Sequence, residues 1–150
     1  MLQEVKDELR QNPNLAYGYA NAFQKRGYPG IAIELFETAE EKRSNSNYLY
    51  QKALLYGEVG DIKKMYAAYV DMVESQASYL NTVKQLLGRA MQGETDSENT
   101  QYLKETLIKR IQDGGPETLN ELLVFIFIKE KNFSGAFTQL KALDKRTVWQ

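Results

Sequence analysis

The sequence predicts an all-α fold, and three observations carry that prediction. Only three prolines and ten glycines punctuate 150 residues, so few positions interrupt a helix. Apolar residues recur at three- and four-residue spacing, the period of one helix face, as in Leu80, Val83 and Leu87. A helix–turn–helix pattern also returns along the chain with the same internal spacing, the mark of a repeat architecture.

In chain order, Leu2, Val5 and Leu9 lie at helical spacing and are followed by Asn12-Pro13-Asn14, which reads as the second helix of a hairpin and the turn after it. Ala16–Ala39 and Leu49–Met72 then align at a shift of 33 residues, with Ala16 on Leu49. Small residues coincide at Ala20 and Ala53, aromatics at Phe23 and Tyr56, and glycines at Gly27 and Gly60. Beyond the glycine, Ala32 meets Met65 and Phe36 meets Tyr69. Each stretch reads as two helices joined at a glycine, which can end a helix in the left-handed conformation. The two units cover residues 13–43 and 46–75.

A third unit, residues 77–113, is less regular. Ala77–Met91 reads as its first helix, with Leu80, Val83, Leu86, Leu87 and Ala90 on one face. Thr95 and Glu98 have the spacing of a capping box that restarts the chain as helix. Tyr102, Leu103, Leu107 and Ile111 then point inward until Gly114, Gly115 and Pro116 stop the second helix. The fourth unit, residues 116–146, contains seven consecutive apolar residues, Leu122–Ile128, a composition that also suits a buried strand. Alignment decides for helix. Sliding the first unit forward from Ala20 to Val124, a shift of 104, also brings Phe23 to Phe127, Gly27 to Lys131, Ala32 to Ala136 and Phe36 to Leu140. A helix apolar on every side is expected to be covered on every side.

Composition narrows the function. Nineteen basic and twenty acidic residues leave a formal charge of −1 without a dense Lys/Arg cluster, which argues against a nucleic-acid partner. No run approaches the roughly 18 apolar residues of a spanning helix, and the charged start lacks a signal-peptide core, so no membrane insertion is expected and the chain reads as soluble. Cysteine and histidine are both absent, which removes thiolate chemistry, zinc–sulfur sites and the commonest general base. Gly27–Gly30 lacks the Lys and Ser/Thr of a phosphate loop, and Gly93–Asn99 lacks the alternating ligands of a calcium loop. Acidic pairs such as Asp7-Glu8 and Glu40-Glu41, and basic pairs such as Lys63-Lys64 and Lys109-Arg110, read as solvated charges. No enzymatic activity, cofactor or metal is expected.

These spacings of small, aromatic and glycine residues resemble the tetratricopeptide repeat, a helical hairpin of about 34 residues. The resemblance covers most of the chain, but Ala16, Leu49 and Asn120 stand where that family usually has Trp. It implies a right-handed α–α superhelix of about four units, with residues 1–12 as the end of a preceding one. Both ends look cut, and hairpins ending in "ALDKR" resemble those of large bacterial tetratricopeptide proteins. The implication is a segment of a longer array, from the bacterial cytoplasm or envelope.

In this family the first helices line a concave groove. The resemblance implies a groove of Asn14, Tyr17, Asn21, Gln24 and Lys25 in unit one. Unit two contributes Asn47, Tyr50, Leu54, Gly57 and Glu58. Unit four contributes Thr118, Glu121, Phe125, Ile128 and Lys129, with Phe125 and Ile128 expected to be buried. Tyr17 and Tyr50 are expected to stack, or else to pack against neighbouring helices. Tyrosine and asparagine suit an extended or helical peptide, because the ring contributes apolar area and the amide pairs with backbone. Some family members grip a terminal carboxylate with lysine and asparagine; Asn21 fits that pattern, while Tyr17 and Gln51 depart from it. Two readings follow: a protein- or peptide-binding scaffold using the groove, or a structural segment that self-associates through exposed repeat ends at Leu140 and Leu143.

Overall fold

A computed structural model describes residues 1–41, 48–92 and 98–149, the last three for their backbone. Among the described residues every regular element is helical and there is no strand. The α-helices are α1 (Leu2–Gln11), α2 (Ala16–Lys25), α3 (Pro29–Glu40), α4 (Leu49–Val59), α5 (Ile62–Ser75), α6 (Leu80–Ala90), α7 (Glu98–Gln112), α8 (Glu117–Lys129) and α9 (Phe133–Trp149). Short 3₁₀ turns at Pro13–Leu15 and Ala77–Tyr79 precede α2 and α6. The proposed capping-box threonine, Thr95, and the groove residue Asn47 lie outside the described residues.

Three interhelical turns share one hydrogen-bond pattern. After α2, the Gly27 N–H donates to the Gln24 carbonyl (3.0 Å) and the Tyr28 N–H to the Phe23 carbonyl (2.9 Å). After α4, Gly60 donates to Gly57 (3.2 Å) and Asp61 to Tyr56 (2.9 Å). After α8, Lys131 donates to Ile128 (2.9 Å) and Asn132 to Phe127 (2.7 Å). This is the Schellman arrangement, which satisfies the orphaned carbonyls of a helix end and requires a left-handed residue. Gly27 and Gly60 adopt φ of 89° and 82°, and Lys131 adopts 59° although it carries a Cβ. The next helix then starts alike each time, with Ala32 donating to Tyr28, Met65 to Asp61 and Ala136 to Asn132. Where the capping residue can accept, it does. The Asp61 carboxylate takes the Lys64 N–H (3.2 Å) and the Asn132 side-chain oxygen takes the Gly135 N–H (2.9 Å). A fourth Schellman pair, Gly114 to Ile111 and Gly115 to Arg110, ends α7.

The chain divides into two compact units, Met1–Ala68 and Tyr69–Gln150, with the boundary inside α5. In the first, α3 packs on α1, α2 and α4. Its face of Ala32, Leu35, Phe36 and Ala39 is buried together with Leu9, Ala16, Ala20 and Leu55, while Leu2, Val5 and Phe23 cover the margin. Rim charges tie the helices together: Lys52 reaches Glu40 (3.0 Å), and Arg10 reaches Asp7 (3.1 Å) and Glu41 (3.2 Å). Glu40 and Glu41 are thus each paired with a basic side chain, as exposed helix faces commonly allow.

In the second unit α8 occupies the centre, touching α6, α7 and α9. Leu119, Leu122, Leu123 and Ile126 are fully buried beside Val83, Leu87, Leu103 and Leu107. The apolar septet is therefore helical, but it is not covered on every side: Phe125 and Phe127 are half-buried and Ile128 is 48 % exposed. The helix lies under three neighbours rather than a complete sheath, so one strip of it faces outward. Ala90 is likewise exposed, at the last turn of α6. Arg110 is no free surface charge either, since Asp71 (2.8 Å) and Glu74 both hold its guanidinium. Among the described residues no helix is long and apolar enough to cross a membrane.

Candidate functional site

The residues with binding chemistry on α2 are Tyr17, Asn21 and Gln24, three and four positions apart and so on one face. Packing of α2 on α3, and of α3 on α4, brings that face beside α4. Together they enclose a pocket of about 250 Å³ lined by Tyr17, Asn21 and Gln24 from α2, Phe36 from α3, and Gln51, Leu54 and Leu55 from α4.

Aromatic packing fixes its inner wall. The Phe36 and Tyr48 rings lie 4.9 Å apart and are almost wholly buried. Tyr17 meets both edge-on, at 5.7 and 5.3 Å, while remaining 49 % exposed. Edge-to-face pairs of this kind favour one ring orientation, so Tyr17 forms one wall of the pocket and still presents an exposed edge. Tyr17 thus packs on neighbouring rings and keeps about half of its surface exposed.

At the rim, the Gln24 amide donates to the Glu58 carboxylate at 3.0 Å, an interhelical bond that orients its side chain. Leu54 is 45 % exposed and forms the aliphatic side. The lining thus consists of phenol, amide and hydrocarbon, which can bind a side chain and pair with peptide backbone.

Of the other residues expected in the groove, Lys25 and Tyr50 are exposed outside this lining. The tyrosine that stacks with Tyr17 is Tyr48 rather than Tyr50, because Tyr48 precedes α4 on the side turned toward α3. The Asn14 N–H is used locally, donating to the Asn12 side chain at 3.3 Å. In the second unit Glu121 and Lys129 are exposed on α8, with half-buried Phe125 between them. The ammonium groups of Lys84 and Lys129 stand 5.8 and 5.6 Å from its ring centroid, so cation–π contacts occupy that face.

No protein family, curated protein or solved structure matches the chain. The site is therefore read from its own geometry. Three pocket residues lay outside the sequence-based groove. Phe36 is visible in the sequence as a repeated aromatic and Gln51 as a departure from the carboxylate-gripping pattern, while no sequence signal singles out Leu55. Also unforeseen is a polar latch under α8. Buried Asn120 accepts from the Arg146 guanidinium (2.7 Å), donates to Gln139 (3.4 Å), and Arg146 donates further to the Gly115 carbonyl (3.0 Å). Among the described residues no cluster of three or more acidic side chains is placed to hold a metal ion.

Proposed function

We propose that the chain is a non-enzymatic protein- or peptide-binding scaffold built of tetratricopeptide-like hairpins stacked as a right-handed superhelix. Support for the repeat reading is the recurrence of one turn at Gly27, Gly60 and Lys131, in the register that the sequence alignment sets.

The observation that carries the binding reading is the pocket on the first unit. Tyr17, Asn21 and Gln24 of α2 and Leu54 of α4, from two separate segments of the chain, line one concavity. At about 250 Å³ it lies below the size of drug or cofactor sites, roughly 300–1,000 Å³, and suits one large side chain. The partner is a peptide segment that inserts an aliphatic or aromatic residue between Tyr17 and Leu54 and offers its backbone to the amides of Asn21 and Gln51. Binding of this type is micromolar, on the order of −8 kcal/mol.

Selection of a random peptide library on the full chain tests the reading. Selected peptides share one apolar residue at a fixed position, and Leu54→Glu or Asn21→Ala weakens them at least about tenfold without lowering the melting temperature. Selected peptides without such a residue, or indifferent to both substitutions, would contradict it.

A further inference from the structure

Two phenylalanines of α8 meet lysines, and the two encounters differ in charge. Over Phe127 the Lys104 ammonium stands 5.7 Å from the ring centroid and also pairs with the Glu130 carboxylate at 3.0 Å. That cation is neutralised within the fold. Over Phe125 stand two ammonium groups, Lys84 of α6 at 5.8 Å and Lys129 of α8 at 5.6 Å, and neither has an ion-pair partner among the described residues. The ring gathers both groups, because its negative face attracts cations. An ammonium has three N–H donors and a ring engages only one side of it, so donors remain for an oxygen acceptor. Two like charges held near one ring gain from an anion that joins them.

The surroundings decide what kind of anion fits. Glu121, Phe125, Ile128 and Lys129 lie at i, i+4, i+7 and i+8 and so share one face of α8. Ile128 is half in solvent, an apolar surface that a bare inorganic anion would leave uncovered. On α6, Gly88 stands one turn beyond Lys84, and a Cβ there would meet nothing within 4 Å, so this side of the helix leaves room beside the lysine. Glu121 is exposed two turns before Lys129, about 12 Å along the axis, too far to neutralise it. Its charge repels a uniformly anionic partner such as a nucleic acid, which also draws its affinity from more cations than these two. The complement of this face is therefore mixed, with carboxylates for the two lysines and an apolar side chain for Ile128.

We propose that this face of the second unit binds an acidic peptide segment, in which one apolar side chain seated on Phe125 and Ile128 is flanked by two carboxylates that pair with Lys84 and Lys129. The site shares no residue with the pocket on the first unit, and neither claim requires the other.

The test is fluorescence anisotropy on the full chain with a labelled peptide that holds leucine between two glutamates. Saturable binding is expected, weakened at least about tenfold when the glutamates become glutamines, or when the chain carries Lys84→Gln with Lys129→Gln at unchanged melting temperature. Lys84→Glu with Lys129→Glu should lose the acidic peptide and gain one that holds leucine between two lysines, a reversal that an unfolded variant cannot show. Leu54→Glu, in the pocket of the first unit, should leave the binding unchanged. No binding overturns the proposal, as does binding indifferent to the lysine substitutions or a reversal that fails. Binding lost with Leu54→Glu assigns the peptide to the first-unit pocket and overturns it too. Oligothymidylate bound as tightly as the acidic peptide, or a dimer of the chain that Lys84→Gln with Lys129→Gln dissolves, assigns the face to a polyanion or to a second copy, and also overturns it.

Discussion

The α2–α3 and α8–α9 hairpins have the same turn and opposite fates. Both close with the same pair of backbone hydrogen bonds around a left-handed residue. In the first hairpin it is the second helix that is enclosed, Leu35 and Ala39 of α3 being completely buried. In the other the first helix, α8, is the more deeply buried, with Leu122, Leu123 and Ile126 fully buried, and α9 keeps a bare apolar stripe at Phe133, Phe137 and Leu140. Turn geometry is thus a local property set by backbone hydrogen bonding, while burial belongs to whatever packs outside.

The largest expected difference comes from truncating the two second helices. Leu35→Ala should lose about 2–5 kcal/mol, as buried leucines do, because it removes contacts and leaves a cavity. Leu140→Ala should lose no more than about 0.5–1 kcal/mol, since half of that side chain already faces solvent. Urea unfolding of both variants measures the contrast, and equal losses would mean that the α9 stripe is covered in the free chain.

Next in size is the latch peculiar to the second hairpin. Arg146→Ala strips buried Asn120 of its donor at 2.7 Å, and an unsatisfied buried polar group costs about 1–3 kcal/mol. Asn120→Leu combined with Arg146→Ala should recover part of that loss. Failure of the pair to recover would show that Arg146 acts elsewhere.

The turns themselves offer a paired exchange. Lys131→Gly should stabilise by about 1 kcal/mol, because glycine enters the left-handed region without a Cβ penalty, and Gly27→Ala should destabilise by a similar amount. Thermal melts of the two variants should therefore move in opposite directions. A destabilised Lys131→Gly would deny the equivalence of the turns.

The smallest effect is a pH dependence confined to alkaline conditions. Burial, then the charge of Glu37 and the hydrogen bond to it, raise the Tyr56 hydroxyl above its ordinary value of 10. A raised folded pKa means that the folded chain holds the proton more tightly. The contribution is complete below pH about 10 and disappears as pH rises through the folded value. Melting temperatures at pH 9 and 11 should differ less in Tyr56→Phe than in the parent, whereas an unchanged difference assigns the alkaline loss to other groups.

Much of this was legible in the sequence, for a reason that also explains the gaps. The shift equating Gly27, Gly60 and Lys131 marks positions where backbone bonding repeats, and it located the turns even where lysine replaces glycine. Alignment also identified Leu122–Ile128 as helix, although its composition suits a strand equally well. What alignment cannot supply is the direction a side chain takes relative to its neighbours. Tyr48 and Tyr50 are two residues apart, and only packing shows that the former turns to Tyr17. Ile128 looks like core in a string of letters and is half in solvent. Arg146 finds Asn120 across 26 residues, a pairing no local pattern announces.

The pocket on the first unit is tested most directly by nuclear magnetic resonance, following the side-chain amides of Asn21, Gln24 and Gln51 and the methyl groups of Leu54 while a library-selected peptide is added. Saturable shifts at these four residues, with the second unit unmoved, are the predicted result. Shifts confined to residues outside the pocket, with these four unmoved, would contradict it.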